Sequence, residues 1–430
     1  MARPGNSIRI LVGDPSFPLF LLLVGTFFLT VFFRISASVV LPLEAARLGM
    51  SASLVGFISS VHFYAYAFLQ PVSGILHDRY GPVRVVTAGL VITAFSCLIL
   101  TVARTPFTLG AWRLLSGLGV APMYSGTLVF QAFAFSSERY SFYAGINFAL
   151  SSLGALVSVA PLGYALDTFG TPVTFALLAG ISLAMAAVLL RKKKKDPMGR
   201  SAGGESKSLL SILPGIASAL RTIWGSRRLL SLQILWAVSS ASLLSFQGLW
   251  GVSWFAAAFS IPLPSARLWS SLISVGMMAG PLLGGTIILS PAILPKIIRK
   301  VSFLNVFSWV VLMISVGTGL PVWAGGAAIF LVGTTSGLRG VFVLAGVTAL
   351  APKESRGAIF GALNMTVVLT AVVFQWGTGL IINLFPSLAP GVYPPEGYRA
   401  GFLAVTGAMI LSLLVLRMLG KEPLGSSTAP

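Results

Sequence analysis

The chain has 430 residues, 56% of them hydrophobic and only 9% charged, with a formal net charge of +19 and a mean hydropathy of +0.92. A soluble domain carries about a quarter charged residues, so a soluble globular protein is excluded and a polytopic membrane protein is implied. The basic excess follows the membrane rather than a nucleic acid, as the placement of the charges makes plain.

Windows of about 19 residues predict an all-α membrane protein with twelve transmembrane helices. They cover 17–41, 52–76, 83–102, 107–133, 142–166, 173–190, 229–257, 268–289, 301–320, 322–350, 358–385 and 401–419. Residues 1–190 and 229–430 each hold six spans and are read as two pseudo-symmetric bundles, joined by a basic cytoplasmic linker over 191–228. With the N-terminus inside, the outer loops hold only Arg47, Arg104, Arg267 and Arg399. The spans hold only Arg34, Arg113 and Arg339, and every other Lys and Arg is cytoplasmic. This positive-inside bias sets the topology, places both termini in the cytoplasm and leaves nucleic acid no part. The first apolar run is too long for a cleaved signal peptide and is expected to stay as an anchor. Cys97 is the one cysteine and falls in the third span, so neither a disulfide framework nor a metal site is expected.

In chain order, the first span carries Arg34, with Pro42 eight residues on. An arginine near mid-membrane costs roughly 2.5–3.5 kcal/mol on insertion scales and persists where it faces a cavity or a counter-charge. All 10 acids fall at span ends or in loops, so the missing anion is read as the substrate, held by a guanidinium fork. A carbonyl-bonded or snorkelling arginine is the alternative. In the second span His62, Tyr66 and Gln70 share a face. His62 is the group able to carry a proton there at neutral pH, with a neutral, hydrogen-bonded imidazole as the competing reading. Between the second and third spans lies a tight charged turn with Gly74, Asp78, Arg79, Gly81 and Arg84, expected to form a compact ion-pair cluster, with His77 as part of that surface turn.

The fourth span brings Arg113, Gly117 and Gly119, the arginine weighed mainly as structural. The fifth brings Asn147 and Ser151, with Gly145, Gly154, Pro161 and Gly163. In the linker, Leu209, Leu213, Ile216, Leu220 and Ile223 recur at helical spacing, predicting an amphipathic helix at the cytoplasmic interface. The seventh span places Ser245, Gln247 and Trp250 among glycines, which suggests a helix that bends toward a cavity. The turn after the eighth span keeps glycines and basic residues, Gly284 to Lys300, but no acid. Arg339 in the tenth span lies between Gly337 and Gly340, which should leave open space around its stem, and Gln375 lies deep in the eleventh. Polar groups of this kind serve equally well as interhelical hydrogen bonders.

The spacing Gly-x-x-x-Asp-Arg-x-Gly-x-x-Arg at Gly74–Arg84 resembles the signature of the major facilitator superfamily, and Arg113-x-x-x-Gly117-x-Gly119 resembles a second element of it. The glycines and proline of the fifth span are similar in part to the motif of its antiporters. Arg34 through Pro42, with Tyr66, resembles the organophosphate:phosphate antiporters and the anion:cation symporters, in which that arginine contacts an anionic substrate. The chain departs from the former at Gln70, where a lysine is usual, and at Ser245, where an arginine is. It also lacks their histidine in the fifth span, and it departs from the latter at Val120, where a glutamate is usual.

The resemblance implies a transporter that works by rocker-switch alternating access, with Arg34 and Arg339 binding a small organic anion. Asp78, Arg79 and Arg84, with the glycines and Arg113 behind them, are expected to form a cytoplasmic latch. A co-transported proton, through His62, or an exchanged anion would couple the movement. The protein is expected in a cell inner or plasma membrane, as a monomer in the lipid bilayer, without cofactor or metal. A proton-linked exporter of amphipathic molecules and a transporter-like membrane sensor are the alternatives. No nucleophile–base pair, metal cluster or nucleotide loop supports an enzyme.

Overall fold

The computed structural model describes residues 15–135, 137–193, 196, 212–285, 292–315, 319–352 and 355–420. Leu209 and residues 286–291 of the second-half turn, named above, lie outside them. In chain order the helices are α1 Phe17–Ile35, α2 Ala37–Leu48, α3 Ala52–Tyr80, α4 Pro82–Thr101, α5 Pro106–Ala134, α6 Ser137–Val157 and α7 Ala160–Lys192. After the linker come α8 Ile212–Gly225, α9 Arg227–Ser245, α10 Gly251–Phe259, α11 Leu263–Ser270, α12 Leu272–Gly285, α13 Leu294–Ile314, α14 Val322–Leu350, α15 Arg356–Ile382 and α16 Pro395–Ser412. A π turn, Phe246–Trp250, joins α9 to α10. Among the described residues no strand forms, as expected where hydrocarbon leaves backbone groups to bond within their own segment.

Nine of the described helices are long and apolar enough to cross a membrane. The other three expected spans fall on α5, whose 29 residues are diluted by Arg113, Ser116, Ser125 and Gln131, on α6, whose apolar part is short, and on α12, which ends at the undescribed 286–291. The expected division between the fifth and sixth spans, between 166 and 173, coincides with a kink at Gly170. The chain runs helically through Ala160–Lys192 except at Gly170, where φ is 74° and ψ 165°, a conformation that glycine reaches without Cβ strain.

The chain falls into two compact units. One comprises Met1–Arg34, Ala65–Ala155 and Ala165–Leu209; the other comprises Ile35–Tyr64, Leu156–Tyr164 and Leu210–Pro430. In the first, α4 and α5 cross so closely that a Cβ on Gly89 would lie 2.4 Å from the Gly119 carbonyl oxygen. That contact accounts for Gly119 by packing, as small residues do at membrane helix crossings. In the second, α8 sets Ala219 and Ile223 into an apolar core with Leu229, Leu232, Phe342, Leu363, Leu416 and Leu419. The linker helix thus packs on protein with one side and leaves Trp224 exposed on the other.

Candidate functional site

The first unit contains a cationic site built from three helices. Arg34 is the penultimate residue of α1, two residues before the break at Ser36, whose carbonyl accepts from both Val39 and Val40. Its side chain is half-buried and its Nε is buried with no hydrogen-bond partner. Among the described residues no hydrogen bond or ion pair engages the guanidinium; its electrostatic neighbours are the phenols of Tyr66, on α3, and Tyr124, on α5. Tyr66 is hydrogen-bonded to the side chain of Gln70, one turn along its helix. The Tyr124 ring packs on Phe27 with centroids 4.5 Å apart. Tyr124 was not singled out from the sequence, where an aromatic residue inside an apolar span carries no signal of its own. Asn147 is buried in the same unit, with Oδ1 lacking a partner.

Arg113 is fully buried and turned to a different task. Its Nη1 donates to the Phe33 carbonyl at 3.0 Å, beside the α1–α2 break, and its guanidinium lies 5.3 Å from the Trp112 ring. A buried guanidinium here satisfies a backbone acceptor where the helix is interrupted.

The charged turn takes a different form from the expected ion-pair cluster. Asp78, Arg79 and Arg84 are exposed, and no ion pair joins them; Arg79 instead lies 5.2 Å over the Tyr80 ring. Charges this exposed gain little from pairing in water. His77 is not a surface residue: it is fully buried, with Nε2 3.1 Å from the Pro122 carbonyl and 3.0 Å from the Ser125 hydroxyl of α5. Since a carbonyl only accepts, Nε2 carries the proton in the first contact. Gly81, at φ 79°, turns the chain into α4, which Pro82 opens. The Val83 N–H then donates to Asp196 Oδ2 at 3.0 Å, so a carboxylate from the start of the linker caps a helix formed 113 residues earlier. Gly74 has open space around it; Gly117 is buried in α5.

In the second unit, Arg339 is 1% exposed. Its Nη1 donates to Asn305 Oδ1 at 3.0 Å and its Nη2 to the Leu235 carbonyl at 2.7 Å. Ser239 also donates to Asn305 Oδ1, while Asn305 Nδ2 donates to Thr335 and Ser336. This network ties α9, α13 and α14 together. The flanking glycines do not open space around the arginine stem. A Cβ on Gly337 would meet Pro281 and the Met277 carbonyl, at 2.8 and 2.9 Å, and one on Gly340 would meet Trp236 at 2.9 Å. They admit neighbouring helices instead.

The bend expected in the seventh span is the π turn, a geometry common at functional sites. Gln375 Nε2 donates to the Leu244 carbonyl at 3.1 Å just before it, and Trp250 Nε1 donates to the Gln375 carbonyl at 3.3 Å. Gln247 donates to Ser274 at 2.9 Å, and Ser245 pairs with Thr378 at 3.5 Å. All four predicted residues are thus gathered around one irregular turn and occupied in interhelical bonds. His62, in the same unit, is buried with its ring edge-on to Phe63 at 5.5 Å.

Residues 22–375 match the model of the Major Facilitator Superfamily. The chain belongs to this superfamily. Among curated members it is 26% identical over 370 residues to the probable anion transporter 2, chloroplastic, of Oryza sativa, covering 81% of this chain and 68% of that protein. It is 25% identical over 158 residues to the probable sulfoacetate transporter SauU of Cupriavidus necator, covering 36% of each. Among solved structures, a bacterial homologue of the human lysosomal transporter Spinster, inward-facing and unoccupied, superposes with a TM-score of 0.72 at 14% identity over 100% of both chains. A D-xylose–proton symporter superposes with a TM-score of 0.71 at 11% identity, over 95% of this chain and 98% of its own. The chain is therefore a membrane-embedded transporter of the major facilitator fold, and these relatives and fold neighbours are transporters rather than enzymes.

Proposed function

We propose that this protein is a secondary transporter of a small organic anion, which binds at Arg34 and is moved by alternating access. One observation carries the reading: a half-buried guanidinium with no carboxylate, in a chain whose acids all lie outside the membrane interior. The names of the rice and Cupriavidus relatives, an anion transporter and a sulfoacetate transporter, support the same class. Tyr66 and Gln70 complete the site beside Arg34, and Arg339 serves as a brace within its own unit. The six-plus-six organisation, the cytoplasmic termini and an inner or plasma membrane location belong to the same proposal, resting on hydropathy and on the positive-inside bias. The turn from Gly74 to Arg84 is assigned the latch, its backbone fixed by buried His77 and by the Asp196 cap.

The test is uptake of labelled carboxylates and sulfonates by proteoliposomes containing the purified protein. Arg34→Gln should abolish uptake and anion binding while the protein stays folded; retention of both would sink the proposal. Repeating the uptake under an imposed pH gradient, with His62→Gln beside the wild type, separates proton coupling from anion exchange.

A further inference from the structure

Three cations are available inside the membrane spans of the whole chain: Arg34, Arg113 and Arg339. Arg113 is fully buried, bonded to the Phe33 carbonyl and set against Trp112. Arg339 is fully buried between Asn305 and Leu235. Only Arg34 is half-open with its guanidinium unbonded among the described residues. The groups around it, Tyr66 and Tyr124, offer hydroxyls and no charge. A ligand with one negative charge would leave this site neutral. A head group with two would carry a full unpaired charge into a low-dielectric interior, where such charges are costly.

We propose that the site is matched to a head group of single negative charge: it accepts carboxylate, sulfonate and sulfate-ester heads and rejects the doubly charged head of a phosphate monoester. Tyr124 is the specificity residue that goes with Arg34. Its phenol is an electrostatic neighbour of Arg34 and its ring packs on Phe27 at 4.5 Å, and its assigned part is to donate to the anion without adding charge. The inference rests on Arg34 being the anion site.

Methyl sulfate and methyl phosphate test it, because they have nearly the same shape. Methyl sulfate keeps one charge at every working pH, whereas methyl phosphate loses its second proton near pH ~6. Binding of each is measured by calorimetry on the purified full-length protein. Between about pH 5 and about pH 8 the affinity for methyl phosphate should fall roughly ninetyfold, following its monoanion fraction, while methyl sulfate holds steady. The steady control also reports any titration of the protein itself, including that of His62. Gln70→Lys, which adds a cation beside Tyr66, should restore methyl phosphate binding at the higher pH. Tyr124→Phe should weaken both ions several-fold without changing their ratio.

If methyl phosphate binds as well at the higher pH as at the lower, or if Gln70→Lys leaves the rejection unchanged, charge matching is overturned while the anion site stands. Unchanged affinities in Tyr124→Phe remove the tyrosine from the specificity element. Should neither ion bind, or should Arg34→Gln bind both as the wild type does, the anion site and this inference fall together.

Discussion

Replacing Arg339 by methionine separates a brace from a binding residue. Methionine fills similar space without charge and adapts to an irregular pocket. The substitution removes two charge-assisted hydrogen bonds, to Asn305 at 3.0 Å and to Leu235 at 2.7 Å. Each such bond is worth about 1.5–3 kcal/mol. Part of that loss is offset, because the variant no longer has to bury a guanidinium without a counter-ion. Asn305 Oδ1 also keeps its bond from Ser239. The expected net loss is about 1–3 kcal/mol of stability, with anion binding unchanged. Denaturant unfolding of the purified protein in detergent micelles measures the first quantity and calorimetry with methyl sulfate the second. Full stability combined with a tenfold or greater loss of binding would refute the reasoning and return Arg339 to the anion site. Arg339→Lys should recover only part of the stability, since an ammonium cannot span both acceptors with a planar fork.

Two further outcomes follow from single contacts. Asp196→Ala removes the carboxylate that caps Val83 and should cost about 1 kcal/mol, with faster protease cleavage at the start of the linker; unaltered cleavage would mean the cap does not hold that segment. Tyr393→Phe deprives the Ala52 N–H of its acceptor at 2.9 Å and Asn383 Oδ1 of its donor at 3.1 Å. It should lower stability by about 1–2 kcal/mol, read by the same unfolding assay, and an unchanged midpoint would count against it.

Placement within a long apolar helix was legible from the sequence, and direction around the helix was not. Arg34 and Arg339 stand out equally as charges inside apolar runs, yet one is half-open beside two phenols and the other is locked among Asn305, Leu235 and the glycine-lined approach of α12. Hydropathy averages over the helix circumference, so it cannot tell these cases apart. The weakly periodic α14 gives no help, because it is buried on much of its surface. Tyr124 escaped because its partner Arg34 is 90 residues away in the chain and no local spacing links them. Asp196 escaped for the same reason, since its partner Val83 lies in a different helix. The irregular turn at Phe246–Trp250 was foreshadowed, because glycines and polar groups alternate there with bulky rings. His77 misled because the charged pair that follows it, Asp78 and Arg79, suggested a solvated turn, whereas the last turns of α3 still press against α5.

The anchoring of Asp196 has a practical consequence for how this gene product could be made. Asp196 is the last described residue of the first unit, and the next described element, Ile212–Gly225, is seated in the core of the second. A polypeptide interrupted between those two points would leave each fragment with its own docking segment intact. Two chains divided there would still have to find each other, because Ile35–Tyr64 belongs to the second unit and the Ala52 N–H bonds to Tyr393 on the other fragment, so recovery of fold on co-expression would report that pairing.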